Sequence, residues 1–179
     1  MLDAADVAYE AIRPDVDEAS LKAELMKPDQ IASELATAKA LSVSASRPDD
    51  WVIGSDSIVS VDGRLFDKPR DRSEAAEHLR FFSGKLMSLT SAVALALDRR
   101  IDWQHVESAA LQVRPLSEEF IASYLDAEWP EVGYTVGVFR LEGRGVQLFD
   151  SIQGDHFTIL GMPLIPLLGA LRDRRFLIA

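Results

Sequence analysis

A predicted β-hairpin carries an acid at one end and a base at the other. Asp56 follows the apolar run "WVIGS", Lys68 follows the run "RLF", and the dipeptide Asp62-Gly63 between them is typical of a tight type I′ turn. A carboxylate held by a rigid strand can act as a general base or a metal ligand, and a lysine beside it can stabilise phosphate oxygens. A lone aspartate also forms turns, and a lysine before proline also lies in solvated turns, so both interpretations stay open here.

Two more charged residues lie beside apolar elements. Glu18 ends the acidic stretch "DVDE", whose oxygens are ligands of the kind that Mg²⁺ prefers, although such a stretch is also typical of a solvated loop. Lys39 lies near the apolar stripe of a predicted helix, where it either serves a site or extends its ammonium into solvent. The three histidines do not have metal-ligand spacing. A site built from these residues would therefore rest on acids and lysines.

Composition limits the classes of protein and partner. A chain of 179 residues with 47% apolar residues predicts one globular domain, and no apolar run reaches membrane-spanning length. There are no cysteines, and the acidic first residues do not resemble a signal peptide, so we expect a cytoplasmic protein. The net charge of −10 argues against nucleic acid as a partner. A small anionic ligand would need local lysines or a divalent cation to overcome this charge.

Hydrophobic periodicity predicts strands and helices in irregular alternation. Strands are predicted over residues 51–55, 57–61, 64–66, 89–97 and 105–114, with a further strand, turn and strand over 138–150. Helices are predicted from Pro28 to about Ser46, from a Ser73 cap to Gly84, after a Ser117 cap, and over residues 162–173. Because there is no strict strand–helix–strand rhythm, we expect an α/β fold with a mixed β-sheet flanked by helices, in which residues 89–97 form a central strand.

A set of motifs in fixed order spans nearly the whole chain. The motifs are "PDVDE", "ELATAKA", "VIGSDSIVSVDGRLFDKP", "SEAAEHLRFFSG", "PLSEEFIASYL", "GVFRLEGRG" and "GDHFTILGMPL". Together they resemble the Maf family of house-cleaning nucleotide pyrophosphatases. The resemblance implies a single domain over residues 1–179, with a twisted mixed sheet and two lobes around a cleft. It also implies hydrolysis of a nucleoside triphosphate to the monophosphate and pyrophosphate, with Mg²⁺ or Mn²⁺, often in a homodimer.

The resemblance assigns roles to four charged residues. Asp56 matches the family's essential acid and would orient or deprotonate the attacking water. Glu18 matches an acid that would help Asp56 to hold the metal ion. Lys39 and Lys68 match two lysines that would bind the triphosphate and neutralise the leaving pyrophosphate. The hairpin would then hold acid and base on one side of a phosphate site.

Glu142 in "FRLEGRG" bears on which nucleobase the substrate carries. The 7-methyl-GTP branch of the family has Glu at this position, whereas the branch that hydrolyses dTTP and UTP usually has Gln. A carboxylate accepts hydrogen bonds from the N1–H and amino group of guanine, and it repels the carbonyl oxygens of uracil and thymine. We therefore favour 7-methyl-GTP, with dTTP or UTP as the alternative substrate. A pairing of Glu142 with Arg140 or Arg144 on an exposed hairpin is the other interpretation of this residue.

The chain departs from the family pattern at its beginning. Family members start with a strand and a Ser-x-Ser-x-x-Arg segment that grips the phosphates, and "MLDAADVAYEA" has no such segment. We expect a domain truncated at its N-terminus, and an exposed sheet edge that favours oligomers. The alternative function is a catalytically inactive Maf-like protein that binds a nucleotide or a protein partner.

Overall fold

The computed structural model describes residues 1–24 and 27–178. The α-helices in this part of the chain are α1 (Glu18–Glu24), α2 (Pro28–Ser46), α3 (Arg72–Phe82), α4 (Glu118–Glu128), α5 (His156–Ile159) and α6 (Leu164–Asp173). The strands are β1 (Val52–Val61), β2 (Arg64–Phe66), β3 (Leu86–Leu97), β4 (Arg100–Val113) and β5 (Phe149–Gln153). Helices and strands mix along the chain, which confirms the α/β class. No described helix has the length and apolar character needed to cross a membrane.

The strands form one five-stranded sheet in the order β2-β1-β3-β4-β5. The pair β1 and β2 is antiparallel, and so is the pair β4 and β5. Strands β3 and β4 are neighbours joined by the two residues Asp98 and Arg99, whose φ angles of 47° and 60° give a tight antiparallel hairpin. The sheet is therefore antiparallel in these pairs, and the expected mixture of strand directions is not found in them. The reason is that short hairpins, rather than crossover helices, connect β1 to β2 and β3 to β4.

The apolar strand β3 is central, as its sequence predicts. Its residues from Met87 to Ala96 are almost all buried. One core cluster packs the side chains of β3 against α6 and the turn before it. The cluster contains Val93, Leu95, Met162, Leu164, Leu167, Ala170 and Leu171. The final helix is thus held by the apolar face that its periodicity predicted.

The first hairpin is confirmed, with one change. Residues 51–55 and 57–61 were expected as two short strands, but β1 runs without a break from Val52 to Val61. The turn residues Asp62 and Gly63 have φ angles of 52° and 75°, as a type I′ turn requires. The ladder to β2 then pairs Val61 with Arg64, Ser60 with Leu65, and Val59 with Phe66.

Two further sequence predictions are wrong. Helix α3 begins at Arg72, two residues earlier than expected, because Asp71 rather than Ser73 is its cap and accepts a hydrogen bond from the Glu74 N–H. Residues 138–150 do not form a strand, a turn and a strand. They contain a 3₁₀-helix over Arg144–Leu148, and β5 begins only at Phe149. A Cβ on Gly145 would lie 2.4 Å from the Arg140 carbonyl oxygen, so the chain folds tightly onto itself here.

The chain divides into two compact units. The first contains Met1–Ser57, Thr90–Glu107 and the residues from Asp155 onward, and the second contains Ile58–Leu89 and Ser108–Gly154. Each of the strands β1, β3 and β4 contributes residues to both units. The prediction of a single Maf-like domain over residues 1–179, with two lobes around a cleft, stays a prediction.

Candidate active site

A lysine and two acids meet in the first unit. The Lys39 ammonium on α2 forms an ion pair with the Asp56 carboxylate on β1. The same ammonium lies 2.9 Å from Oε1 of Glu18, the first residue of α1. The Lys39 and Asp56 side chains are 18% and 13% exposed, whereas Glu18 is 44% exposed. Three of the five charged residues singled out in the sequence are thus in direct contact, and Lys39 does not simply extend into solvent.

Helix α2 reaches Asp56 because Gly54 lets it approach β1. A Cβ on Gly54 would lie 2.2 Å from the Ala36 carbonyl oxygen and 2.6 Å from the Ala40 nitrogen. Side chains alternate along a strand, so Gly54 and Asp56 face the same side. The close approach at Gly54 therefore brings Lys39, the residue before Ala40, over Asp56. Sequence reasoning did not assign Gly54 a role, although a glycine in an apolar strand opposite an alanine-rich helix is the pattern of close backbone packing.

Substituting Gly54 by alanine is expected to lower the free energy of unfolding by about 1–3 kcal/mol, because the new methyl group meets backbone that cannot rotate away. It should also lower catalytic activity, since α2 must shift and carries Lys39 with it. Urea unfolding measures the first effect. The control is Gly169→Ala in α6, where the nearest atom is 3.9 Å away. That change should leave stability unchanged or raise it by up to about 1 kcal/mol, and equal losses in both variants would contradict the packing argument.

In the acidic stretch that leads into α1, Asp15 and Asp17 make hydrogen bonds, and Glu18 contacts Lys39. Asp17 accepts hydrogen bonds from the N–H and the hydroxyl of Ser20, which lower the pKa of Asp17 and cap the first turn of α1. The backbone of Asp15 exchanges hydrogen bonds with the Ser42 hydroxyl on α2. These contacts hold the stretch against α2, and Glu18 is left facing Lys39.

The surroundings of the Lys39–Asp56 ion pair make Asp56 a better proton acceptor. Burial raises the pKa of Asp56 above its usual value, and it outweighs the opposing hydrogen bond and charge of Lys39. For Lys39, burial is the largest single influence and acts to lower the pKa. The hydrogen bonds and charges of Asp56 and Glu18 together outweigh it, so the pKa of Lys39 is raised. Lys39 therefore remains a cation, and Asp56 is a stronger base than an exposed aspartate.

Lys68 and Glu142 lie in the second unit. Lys68 is exposed in the segment between β2 and α3, and Glu142 is exposed in the turn before the 3₁₀-helix. Within residues 1–24 and 27–178, neither side chain forms an ion pair. Instead, Nη1 of Arg140 lies 3.9 Å from Oε2 of Glu131, and the backbone N–H of Arg144 donates a hydrogen bond to Oε1 of Glu128. The proposed pairing of Glu142 with these arginines is not found, and the convergence of Lys68 with Asp56 stays a prediction.

The donor set fits a divalent cation that arrives with its substrate. The described part of the chain contains no group of three or more His, Cys, Asp or Glu side chains that could hold a metal ion. Two carboxylates, those of Glu18 and Asp56, do lie close together, since both contact the Lys39 ammonium. Mg²⁺ is commonly bound by one or two carboxylates, with substrate phosphates and water completing the shell. The two acids therefore suit such an ion as partial ligands and do not form a closed protein cage.

The fold and the site define an α/β protein with a lysine–carboxylate cluster suited to charged substrates. The family model described as Maf-like protein matches residues 1–174. The chain belongs to this family.

Similar proteins carry names that describe an activity. A protein of Rhizobium etli named 7-methyl-GTP pyrophosphatase is 46% identical over 177 residues, which cover 97% of this chain and 89% of the relative. A protein of Rhizobium meliloti with the same name is 44% identical with the same coverage. A protein of Sphingopyxis alaskensis named nucleoside triphosphate pyrophosphatase is 44% identical over 177 residues, covering 96% of this chain and 89% of the relative. The chain is thus similar over nearly its whole length to proteins named as pyrophosphatases.

Proposed function

We propose that the protein is a nucleoside triphosphate pyrophosphatase, a hydrolase that acts on an acid anhydride. The observation that carries this proposal is the contact of Lys39 with both Asp56 and Glu18 in a chain of the Maf-like family. A base, a cation and a second carboxylate are the groups that hydrolysis of a phosphoanhydride needs. The names of the relatives support the same activity.

Asp56 is the proposed general base. Water supplies the oxygen that forms the new P–O bond, and its proton passes to the Asp56 carboxylate. The P–O bond between the α- and β-phosphates breaks, and pyrophosphate leaves with the nucleoside monophosphate as the other product. Burial raises the pKa of Asp56, so the carboxylate accepts a proton more readily than an exposed aspartate.

Lys39 and Lys68 are the proposed phosphate-binding residues. A triphosphate brings several negative charges to a chain whose net charge is −10. Lys39 carries a raised pKa and stays charged, and the exposed Lys68 has no ion-pair partner in the described ranges. Both ammonium groups can therefore bind phosphate oxygens and stabilise the charge that develops on pyrophosphate.

Glu18 and Asp56 are the proposed ligands of Mg²⁺ or Mn²⁺. The bound ion would neutralise phosphate charge and help to orient the substrate. Because the two acids supply only part of a coordination shell, we expect the ion to bind more tightly when a triphosphate is present. A cytoplasmic location and a homodimer belong to the same proposal and stay predictions.

Glu142 is the proposed base-selecting residue, with 7-methyl-GTP as the favoured substrate. Its carboxylate is exposed and pairs with no arginine among the described residues. The positive charge of a 7-methylguanine ring strengthens the hydrogen bonds that its N1–H and amino group donate to a carboxylate. Three relatives are named for this substrate, and dTTP or UTP remains the alternative.

The substrate assignment predicts a selectivity change in Glu142→Gln. Loss of a hydrogen bond to a charged group costs about 1.5–3 kcal/mol, so kcat/KM for 7-methyl-GTP should fall about 10-fold to 100-fold. The values for dTTP and UTP should rise or stay unchanged, because the amide no longer repels their carbonyl oxygens. The measurement is pyrophosphate release from 7-methyl-GTP, GTP, dTTP, UTP and CTP with Mg²⁺ or Mn²⁺.

The matched control for this panel is Glu119→Gln, an exposed position on α4. It should leave every ratio of kcat/KM unchanged.

A form extended at its N-terminus by the family's phosphate-binding segment is assayed beside the 179-residue chain. If nucleotides bind to both forms but neither form hydrolyses them, the non-catalytic binding protein becomes the better assignment.

A further inference from the structure

The strand residue before Asp56 is anchored on the far side of β1. Because side chains alternate along a strand, Ser55 lies on the face opposite Asp56. Its hydroxyl has two acceptors within reach, the Ala92 carbonyl oxygen at 2.9 Å and the Gly161 carbonyl oxygen at 2.8 Å. The backbone on one side of Asp56 is thus tied both to β3 and to the turn between α5 and α6.

The residue after Asp56 begins a chain of hydrogen bonds that leads into the core. The Ser57 hydroxyl lies 2.7 Å from the Ser91 hydroxyl and 3.2 Å from the Gly161 carbonyl oxygen. Ser91 in turn donates to the Thr158 carbonyl oxygen at 2.7 Å. A carbonyl oxygen only accepts, so the single proton of Ser91 goes to Thr158. The single proton of Ser57 then goes to the Ser91 hydroxyl at 2.7 Å, which is closer than the Gly161 carbonyl oxygen at 3.2 Å. The chain therefore runs in one direction, from Ser57 through Ser91 to Thr158.

The inner end of this chain is rigid. Ser91 and Thr158 are both fully buried. The Thr158 hydroxyl donates to Oε2 of Glu107 at 2.7 Å, and its N–H donates to Asp155, the cap of α5. Fully satisfied polar networks in a core fix one arrangement of their members. The carbonyl oxygen that receives the Ser91 proton is accordingly held by both its own side chain and its own backbone.

We propose that Ser91 is a positioning residue for Asp56. Through Ser57 it holds the backbone of β1 next to Asp56, whose side chain meets Lys39 on the opposite face. The Asp56 carboxylate is then aligned by contacts on both faces of β1. Lys39 pairs with it on one face, and the hydrogen bonds of Ser57 and Ser91 hold the strand on the other. This inference rests on the proposed function, since it takes Asp56 to be the general base. It adds a residue that touches neither substrate nor Asp56 and acts only through the strand.

The test compares Ser91→Ala with Ser44→Ala. Ser44 is equally buried, and its hydroxyl accepts one hydrogen bond, from the Arg99 N–H at 3.0 Å in the β3–β4 turn. A misplacement of about 1 Å can cost about 10²-fold in rate, so the loss of one anchor should lower kcat about 10-fold. KM should stay the same, and Ser91→Thr, which keeps the hydroxyl, should recover most of the loss. Ser44→Ala should keep its kcat, and an equal fall in both alanine variants overturns the proposal.

A second measurement does not depend on turnover. Amide hydrogen exchange across residues 55–57 should be faster in Ser91→Ala than in the unaltered chain, and unchanged in Ser44→Ala. If neither the unaltered chain nor its N-terminally extended form hydrolyses a nucleotide, the proposed function fails, and the exchange rates alone decide the positioning role. Unchanged exchange in Ser91→Ala overturns it. If that variant does not fold, Ser57→Ala removes the same hydrogen bond from its other end and gives the same comparison.

Discussion

Replacing Asp56 by asparagine is expected to lower kcat for pyrophosphate release by about 10²-fold to 10⁴-fold, the range for loss of a general base. The amide has nearly the same shape and still accepts a hydrogen bond from Lys39, but it cannot take a proton from water. Stability should change little, because burial already favours the uncharged form of this side chain and Glu18 remains to pair with Lys39. The rate is measured at saturating nucleotide with Mg²⁺, and stability by urea unfolding.

The control for this experiment is Asp49→Asn, an exposed loop residue in the same compact unit. It removes the same charge from the chain and should leave kcat unchanged. A fall in kcat with Asp49→Asn would point to net charge as the cause. If Asp56→Asn keeps more than about a tenth of the rate, Asp56 is not the base, and the proton acceptor must be sought elsewhere.

The sequence predicted those elements that one local pattern decides. Helix α2 has the predicted bounds Pro28–Ser46, because its apolar spacing and the proline in its first turn act over a few residues. The Asp62-Gly63 turn is also local, since both residues tolerate the positive φ that a type I′ turn needs. The caps of α3 show the limit of this reasoning. Asp71 and Ser73 are both good caps, and Asp71 is selected by its bond to the Glu74 N–H.

Close contacts of the backbone within a loop, and contacts between distant segments, were not predictable in the same way. The turn over residues 140–148 depends on Gly145 touching the backbone of Arg140, which no periodicity reveals. In the site, the sequence supplied Glu18, Lys39 and Asp56 through resemblance, and the structure brings them into contact. It did not supply Gly54 or Ser91, because their roles arise from packing across the sheet and not from spacing along the chain.

Replacing Lys39 by methionine should lower kcat by about 10²-fold to 10³-fold, the usual effect of removing a group that stabilises developing charge. Methionine has a similar length and suits a site that is only 18% exposed, so the change removes the charge with little change in volume. The parallel variant is Lys68→Ala. It should cause a loss of the same order if Lys68 also binds phosphate, and no loss of stability because Lys68 is exposed without an ion pair in the described residues.

Stability separates the two lysines further. Without Lys39 the carboxylates of Asp56 and Glu18 lose the ammonium group that both of them contact, and the free energy of unfolding should fall by about 1–3 kcal/mol. This is less than for a fully buried pair, because Glu18 is 44% exposed. Lys39 acts to lower the pKa of Asp56 and Glu18 acts to raise it, so the substitution raises that pKa further. When folding raises the pKa of a carboxyl, the folded protein loses stability as pH rises towards that pKa. The loss in free energy of unfolding caused by Lys39→Met should therefore be larger at pH 7.5 than at pH 5. Urea unfolding with EDTA at the two pH values measures this, and a deficit that is larger at pH 5 would show that Lys39 does not hold two acids together.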